Sequence, residues 1–152
     1  EIERVLKLPL PSVIRYCKEL ERERILGIVK LGTVNLYTAD RSSAKFILEK
    51  RLFNIKRIYD SGLIEFVKQE LSDPPIVIFG SFEKGEDVEG SDVDLYIETL
   101  SNKKIALGKF EKFLSRTVHV FRYKSIKEIP SPHLANNIIN GITLNNSMEV
   151  FK

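Results

Sequence analysis

The sequence predicts an α+β protein: a small β-sheet flanked by helices in the rear half, preceded by a smaller module of helices and a hairpin. Three observations lead there. Short apolar runs of strand length, among them Ile76–Phe79 and Thr117–Tyr123, are set between segments of helical periodicity. Ser72-Asp73-Pro74-Pro75 makes a firm break in mid-chain. In the front part, Gly32-Thr33 separates two β-like runs in the manner of a hairpin turn.

The bulk composition narrows the class. The 152 residues are 43% hydrophobic, enough for a real core in one compact domain or two small ones. A single cysteine, Cys17, rules out a disulfide within the chain and suits a reducing cytoplasm, the expected location. No apolar run approaches the roughly 18 residues that span a bilayer, so no membrane association is expected. The N-terminus lacks the order of a signal peptide and opens inside a helix-like pattern, so the natural chain is expected to begin earlier. Ile, Lys and Glu abound beside a single Gln, Cys and Met, which leans toward a thermophilic source. Residues 1–60 hold 13 Lys and Arg against 8 Asp and Glu; residues 61–152 hold 11 against 13. The basic excess thus lies in front, as a nucleic-acid contact would require.

Taking the elements in order, Ile2, Val5, Leu6 and Leu8 suggest a short helix. Pro9-Leu10-Pro11 interrupts it, because proline removes a backbone donor and clashes with the preceding turn. Pro11 then suits the first turn of a second helix, expected to run to about Arg24. Val13, Tyr16, Cys17 and Leu20 form its apolar stripe, while Ser12, Arg15, Lys18 and Arg22 share another face. The β-like runs Ile25–Leu31 and Val34–Thr38 follow. Helix, sharp turn, helix and hairpin is the order of a winged helix-turn-helix, and "EIERVLKLPLPSVIRYCKELERERILGIVKLGTVNLYT" resembles such domains of archaea and bacteria. The resemblance makes residues 1–40 a winged helix, N-terminally incomplete because the first of its usual three helices lies before residue 1 or is missing. Its recognition helix would bring Ser12, Arg15, Lys18 and Arg22 to DNA, with Lys30 at the tip of the wing.

From Ser42 to Leu71 the apolar positions keep helical spacing, and residues 41–72 read as a connecting helix. Asp60-Ser61-Gly62 could end one helix and cap the next, or be a tolerated interruption. The apolar stripe of this segment could form a homodimer seam. Residues 73–152 read as the rear domain. Its elements are strands at Ile76–Phe79, Asp92–Glu98 and Thr117–Tyr123, and helices at Asn102–Leu114 and from Pro132 to about Leu144.

The chemistry is concentrated after the first rear strand. Gly80-Ser81 is followed by ten residues and then Asp92-Val93-Asp94. A glycine at a strand end lets backbone come close to a ligand, and a helical turn after it would offer free N–H groups to a phosphate. Asp92 and Asp94 are two apart on a strand, so both carboxylates leave one face and repel unless a cation sits between them. Hard oxygen ligands of this kind suit Mg²⁺, which also takes up substrate phosphates. "GSFEKGEDVEGSDVDLYIE" resembles the signature of the DNA polymerase β superfamily of nucleotidyltransferases, most closely its minimal archaeal and bacterial members, over about residues 61–150.

That resemblance implies a small mixed sheet flanked by helices and transfer of a nucleoside monophosphate from a nucleoside triphosphate, with ATP the expected donor and Mg²⁺ or Mn²⁺ as cofactor. Gly80 and Ser81 would bind the triphosphate, Lys84 would touch phosphate, and Asp92 and Asp94 would hold the metal. Glu83, Glu86 and Glu89 read as loop surface. Active relatives carry a third carboxylate on a later strand; here His119 stands in its place. Neutral imidazole could accept a proton but is a poor Mg²⁺ ligand. His133 reads as a helix-start residue, and Asn136 or Asn137 could face the nucleotide. Minimal relatives act as antitoxins on HEPN-type toxins, so a protein acceptor is expected. The alternative is a DNA-binding regulator or antitoxin whose nucleotidyltransferase fold binds nucleotide or a partner without catalysis.

Overall fold

The structure, a computed structural model, describes residues 1–151. It divides into two compact units, residues 1–50 and 51–152.

In the first unit, α1 (Ile2–Leu6) ends where Lys7 turns left-handed with φ 52°, and α2 (Leu10–Arg22) begins with Pro11 in its first turn. Val13 and Cys17, one turn apart, are its buried residues; Tyr16, expected on the same stripe, is exposed beneath the Arg15 guanidinium at 4.9 Å. The antiparallel hairpin β1 (Leu26–Leu31) and β2 (Val34–Ala39) closes through Gly32, whose φ of 62° a two-residue turn tolerates best in glycine. This order is compatible with a winged-helix-like module. Ser43 then accepts a hydrogen bond from the Phe46 N–H at 3.4 Å and starts α3 (Ala44–Asp60).

The Asp60-Ser61-Gly62 segment is a true break. The Ser61 hydroxyl donates to Ile58 O at 2.6 Å and accepts from the Leu63 N–H at 3.2 Å, Gly62 adopts φ 75°, and α4 (Leu63–Leu71) follows. Leu63, Ile64, Val67 and Leu71 bury one side of α4, each contributing about 2 kcal/mol relative to exposure. They pack on a four-stranded sheet of order β5-β4-β3-β6, formed by β3 (Ile76–Phe79), β4 (Val93–Glu98), β5 (Val118–Tyr123) and β6 (Ile142–Asn145). The sheet is mixed: β3 pairs antiparallel with both β4 and β6, while β4 and β5 run parallel.

Side chains alternate across it. Val93, Leu95 and Ile97 join Ile76 and Ile78 in a core under α4 and α6 (Gly108–Leu114). Val77, Phe79 and Tyr96 face the other way, onto α7 (Pro132–Ile139) and a 3-10 turn at Ile126–Glu128. Helices therefore cover both faces, as expected of this fold. Among the described residues no helix is long and apolar enough to cross a membrane.

Two expected helices are corrected. The helix expected over Asn102–Leu114 starts only at Gly108. Before it, the Thr99 and Ser101 hydroxyls accept from the N–H groups of Ser101 and Lys103 at 3.1 and 3.2 Å, and Arg122 donates to Lys103 O. Such side-chain bonds compete with helical ones, and Ile105 and Leu107 reach the core from irregular backbone. The last helix, expected to reach Leu144, stops at Ile139, and Ile142–Asn145 instead forms the edge strand β6. Gly141 makes the change of direction possible. A Cβ there would lie 2.4 Å from Ile78 O and 2.9 Å from Val77 Cγ1, so only glycine lets the chain come this close to β3. The Asn145 and Asn146 amides then tie the far end of β6 to Asp73, whose carboxyl their hydrogen bonds hold below the usual range.

Gly141→Ala is expected to destabilise the fold by on the order of 2 kcal/mol through overpacking against β3, read as a lowered midpoint of thermal unfolding.

Candidate active site

The site begins with strand pairing. Phe79, the last residue of β3, stands opposite Asp94 on β4, and Asp94 in turn stands opposite His119 on β5. Three adjacent strands thus bring Gly80, Asp94 and His119 side by side at one end of the sheet. Gly80 leaves β3 with φ 84° and opens a five-residue helical turn, α5 (Gly80–Lys84). A Cβ at Gly80 would stand 2.5 Å from Asp94 Oδ2. The glycine-serine turn therefore lies directly against the carboxylate, too close to admit a side chain at position 80. Ser81 is half-buried in this turn and Lys84, its last residue, is exposed.

Asp92 and Asp94 emerge on the same side as His119. The His119 Nδ1 atom is 3.9 Å from Asp92 Oδ2 and 3.9 Å from Asp94 Oδ1. The side chains of Asp92, Asp94 and His119 are 40, 27 and 59% exposed, so the cluster opens to solvent. Beneath it runs an aromatic floor: the Phe79 and Phe121 rings lie 5.4 Å apart, and His119 meets Phe121 edge-on. Partial burial pushes the Asp94 carboxyl above the ordinary aspartate range; the Asp92 charge adds to this and His119 opposes it.

The donor set suits a hard cation held in part by substrate. Among the described residues no three His, Cys, Asp or Glu side chains converge into a metal cage. Two carboxylates beside an open turn match the way Mg²⁺ is commonly bound, through one or two carboxylates, waters and substrate phosphates. Beyond Ser91, a cavity of about 360 Å³ is lined by Gly90, Glu111, Ser115, Arg116 and Thr117; the acid pair and His119 lie outside its walls.

The spacer between turn and acid pair departs from its expected character. Glu86 and Glu89 are exposed, but Glu83 is 1% exposed and pairs with Arg51. Asp87 is likewise 1% exposed, with Arg116 Nη2 at 3.3 Å and Asn54 Nδ2 at 2.8 Å. Asn54 is itself buried and also donates to Phe82 O at 2.8 Å. Glu83 is corrected from loop surface to buried ion pair, because α3 supplies Arg51 and Asn54 on one face at i, i+3 spacing. Asn54, Asp87 and Arg116 were not foreseen from the sequence. The one available hint was a polar Asn54 within the apolar stripe from Leu52 to Ile58.

In the first unit, Arg15, Lys18 and Arg22 are exposed on α2, Ser12 is half-buried, and Lys30 is exposed near the hairpin tip. Arg15 lies 4.0 Å from Glu19 in an exposed pair that costs little to break. His133 sits in the first turn of α7, where its Nδ1 lies 3.3 Å from Asn137 Nδ2, and the Asn136 carbonyl accepts from Asn140.

Among known proteins, the model of the nucleotidyltransferase domain family matches residues 61–144. No curated protein and no solved structure gave a significant match. The match covers more than half of the chain, including β3, β4 and β5, all but the last residue of β6, and the turn beside Asp94, and the chain belongs to the nucleotidyltransferase domain family, of the DNA polymerase β type.

Proposed function

We propose that this protein transfers a nucleoside monophosphate from a nucleoside triphosphate, ATP being the expected donor, to a hydroxyl on an acceptor. The observation that carries the reading is the apposition of Gly80 to Asp94, with Asp92 and His119 on the same side. The Gly80-Ser81 turn and Lys84 hold the triphosphate. Asp92 and Asp94 hold a divalent cation, Mg²⁺ or Mn²⁺, which when bound neutralises charge on the phosphates. The acceptor oxygen attacks the α-phosphorus in line, the bond to the β-phosphate oxygen breaks, and pyrophosphate leaves. His119 takes the hydroxyl proton, a neutral imidazole nitrogen being able to accept one. The resemblance in sequence to minimal antitoxin-type relatives favours a protein acceptor, a HEPN-type toxin being the leading candidate.

A second reading has a specific observation behind it. His119 stands where active relatives carry a third carboxylate, and an imidazole is a poor Mg²⁺ ligand. On that reading the rear unit binds nucleotide or a partner without transfer, and the chain is a DNA-binding regulator or antitoxin. On either reading, the exposed Arg15, Lys18 and Arg22 of α2, with Ser12 and Lys30, supply a DNA contact face.

Incubation with α-labelled ATP, Mg²⁺ or Mn²⁺ and cell extract decides between them. Transfer predicts a labelled acceptor that disappears with Asp94→Ala. An unlabelled extract, with ATP still bound by the wild-type chain, supports the regulator.

The raised pKa of Asp94 has two consequences of opposite sign. Cation binding requires the ionised carboxylate, so nucleotide handling declines on acidification at a higher pH than an ordinary aspartate would set. The ion-free fold, by contrast, is destabilised by the ionised Asp94 above that raised value, and the cost fades as pH falls through it toward the unfolded-state value. Without divalent ions, Asp94→Asn should therefore raise the unfolding midpoint at neutral pH and narrow the gain that wild type shows on mild acidification.

For the front unit, Lys18→Ala and Arg22→Ala are each expected to weaken duplex DNA binding and to lower the slope of log affinity against log salt by about one, measured by fluorescence anisotropy over a salt series.

A further inference from the structure

The polar network behind the Gly80 turn has no part in the chemistry above, and its arrangement is specific. The thirteen residues from Gly80 to Asp92 connect the proposed phosphate turn to the proposed cation site, yet beyond Lys84 they contain no helix or strand. Phe82 is the one apolar side chain of this segment in the core; Val88 is exposed. What holds the rest is polar. The Glu86 N–H reaches back to Ser81 O at 3.0 Å and the Gly85 N–H to Phe82 O at 3.3 Å. The Ser91 hydroxyl accepts from the Val88 N–H at 2.9 Å.

Asn54 spans this segment. Its single amide nitrogen carries two hydrogens, and both are placed: Phe82 O and Asp87 Oδ1 each lie 2.8 Å away. One acceptor belongs to the turn itself, the other to the loop five residues on. Arg116 holds the second oxygen of Asp87 from the opposite side, at 3.3 Å. Arg51, one turn before Asn54 on α3, fixes Glu83. Asp94 is placed differently, by β-ladder pairing with Phe79 and with His119, while Asp92 lies just ahead of β4. The two halves of the site therefore have separate supports: a sheet for Asp94 and His119 and a buried amide clamp for the turn.

We propose that Asn54 is a positioning residue for triphosphate binding, acting through the Phe82 carbonyl and the Asp87 carboxylate to fix the Gly80–Lys84 turn against Asp94. This rests on the nucleotide reading of the site. Asn54 touches no substrate. Its removal frees the turn while leaving the strands, and hence Asp94 and His119, in register.

The test is Asn54→Ala in the full chain, with hydrogen exchange and nucleotide affinity measured together at a temperature where the variant is folded. The expected result is faster exchange at the Gly85 and Glu86 amides, retained protection in β3 and β4, and affinity for Mg²⁺–ATP weakened on the order of ten-fold or more, the range seen when groups supporting a ligand site are removed. Unchanged affinity despite a loosened turn overturns the proposal. So does loss of protection across β3 and β4, which marks Asn54 as a general stabiliser. Should Asn54→Ala not fold, Asn54→Ser, which keeps one donor, is read by the same two measurements. Failure of the wild-type chain to bind Mg²⁺–ATP removes the nucleotide reading itself, and this inference with it.

Discussion

The closeness of Gly80 to the Asp94 carboxylate is the constraint on which the rest of the site depends. It follows from two ordinary facts, the antiparallel pairing that sets Phe79 opposite Asp94 and the missing side chain at the next residue. The rest of the second unit serves to keep that pairing in place. Apolar side chains from α4 and α6 press on one face of the sheet, α7 and the 3-10 turn press on the other, and the side chains of Asp92, Asp94 and His119 stand at an end that opens to solvent. Sheet interiors are rigid because both faces are close-packed. A carboxylate mounted on such a strand, as that of Asp94 is, keeps its place whether or not a cation is present, and burial, with a smaller contribution from the Asp92 charge, raises its proton affinity.

The spacer shows a different solution to the same problem. A loop with little apolar content cannot be held by hydrophobic burial, and here two acids turn inward instead, each met by an arginine. Buried charges of this kind add little net stability compared with apolar packing, but leaving one unpaired is costly. The cost of the arrangement is visible in the Arg116 Nε–H, which is buried without a partner among the described residues.

How much of this could be seen in the sequence depends on the range of the interaction. Gly80-Ser81 and Asp92-Val93-Asp94 were legible because strand period and turn chemistry are local, and β3, β4 and β5 were legible as apolar or alternating runs bounded by breakers. Ile138, Ile139 and Ile142 keep helical spacing across Asn140-Gly141, which carries the expected last helix past its true end at Ile139. That dipeptide is itself a stop signal, and a four-residue edge strand offers little periodicity of its own. The stretch from Asn102 to Leu107 misled in the same way, since Ile105 and Leu107 reach the core without helical backbone. Burial of Glu83 and Asp87 was not legible. Their partners lie 32 and 29 residues away, and nothing local distinguishes them from the exposed Glu86 and Glu89.

The parallel pairing of β4 with β5 carries an implication for how such a chain can diverge. His119 arrives on β5 only after a crossover running from Thr99 to Thr117. Strand period is two, so a single-residue insertion or deletion that shifted β5 by one position would rotate His119 into the apolar layer under α6 and present Val118 or Val120 beside the aspartates. Changes in crossover length absorbed before β5 would leave His119 beside the aspartates, whereas a slip of the strand itself would remove the imidazole from them at one stroke. The identity of the third side chain is thus governed as much by ladder alignment as by codon choice at position 119.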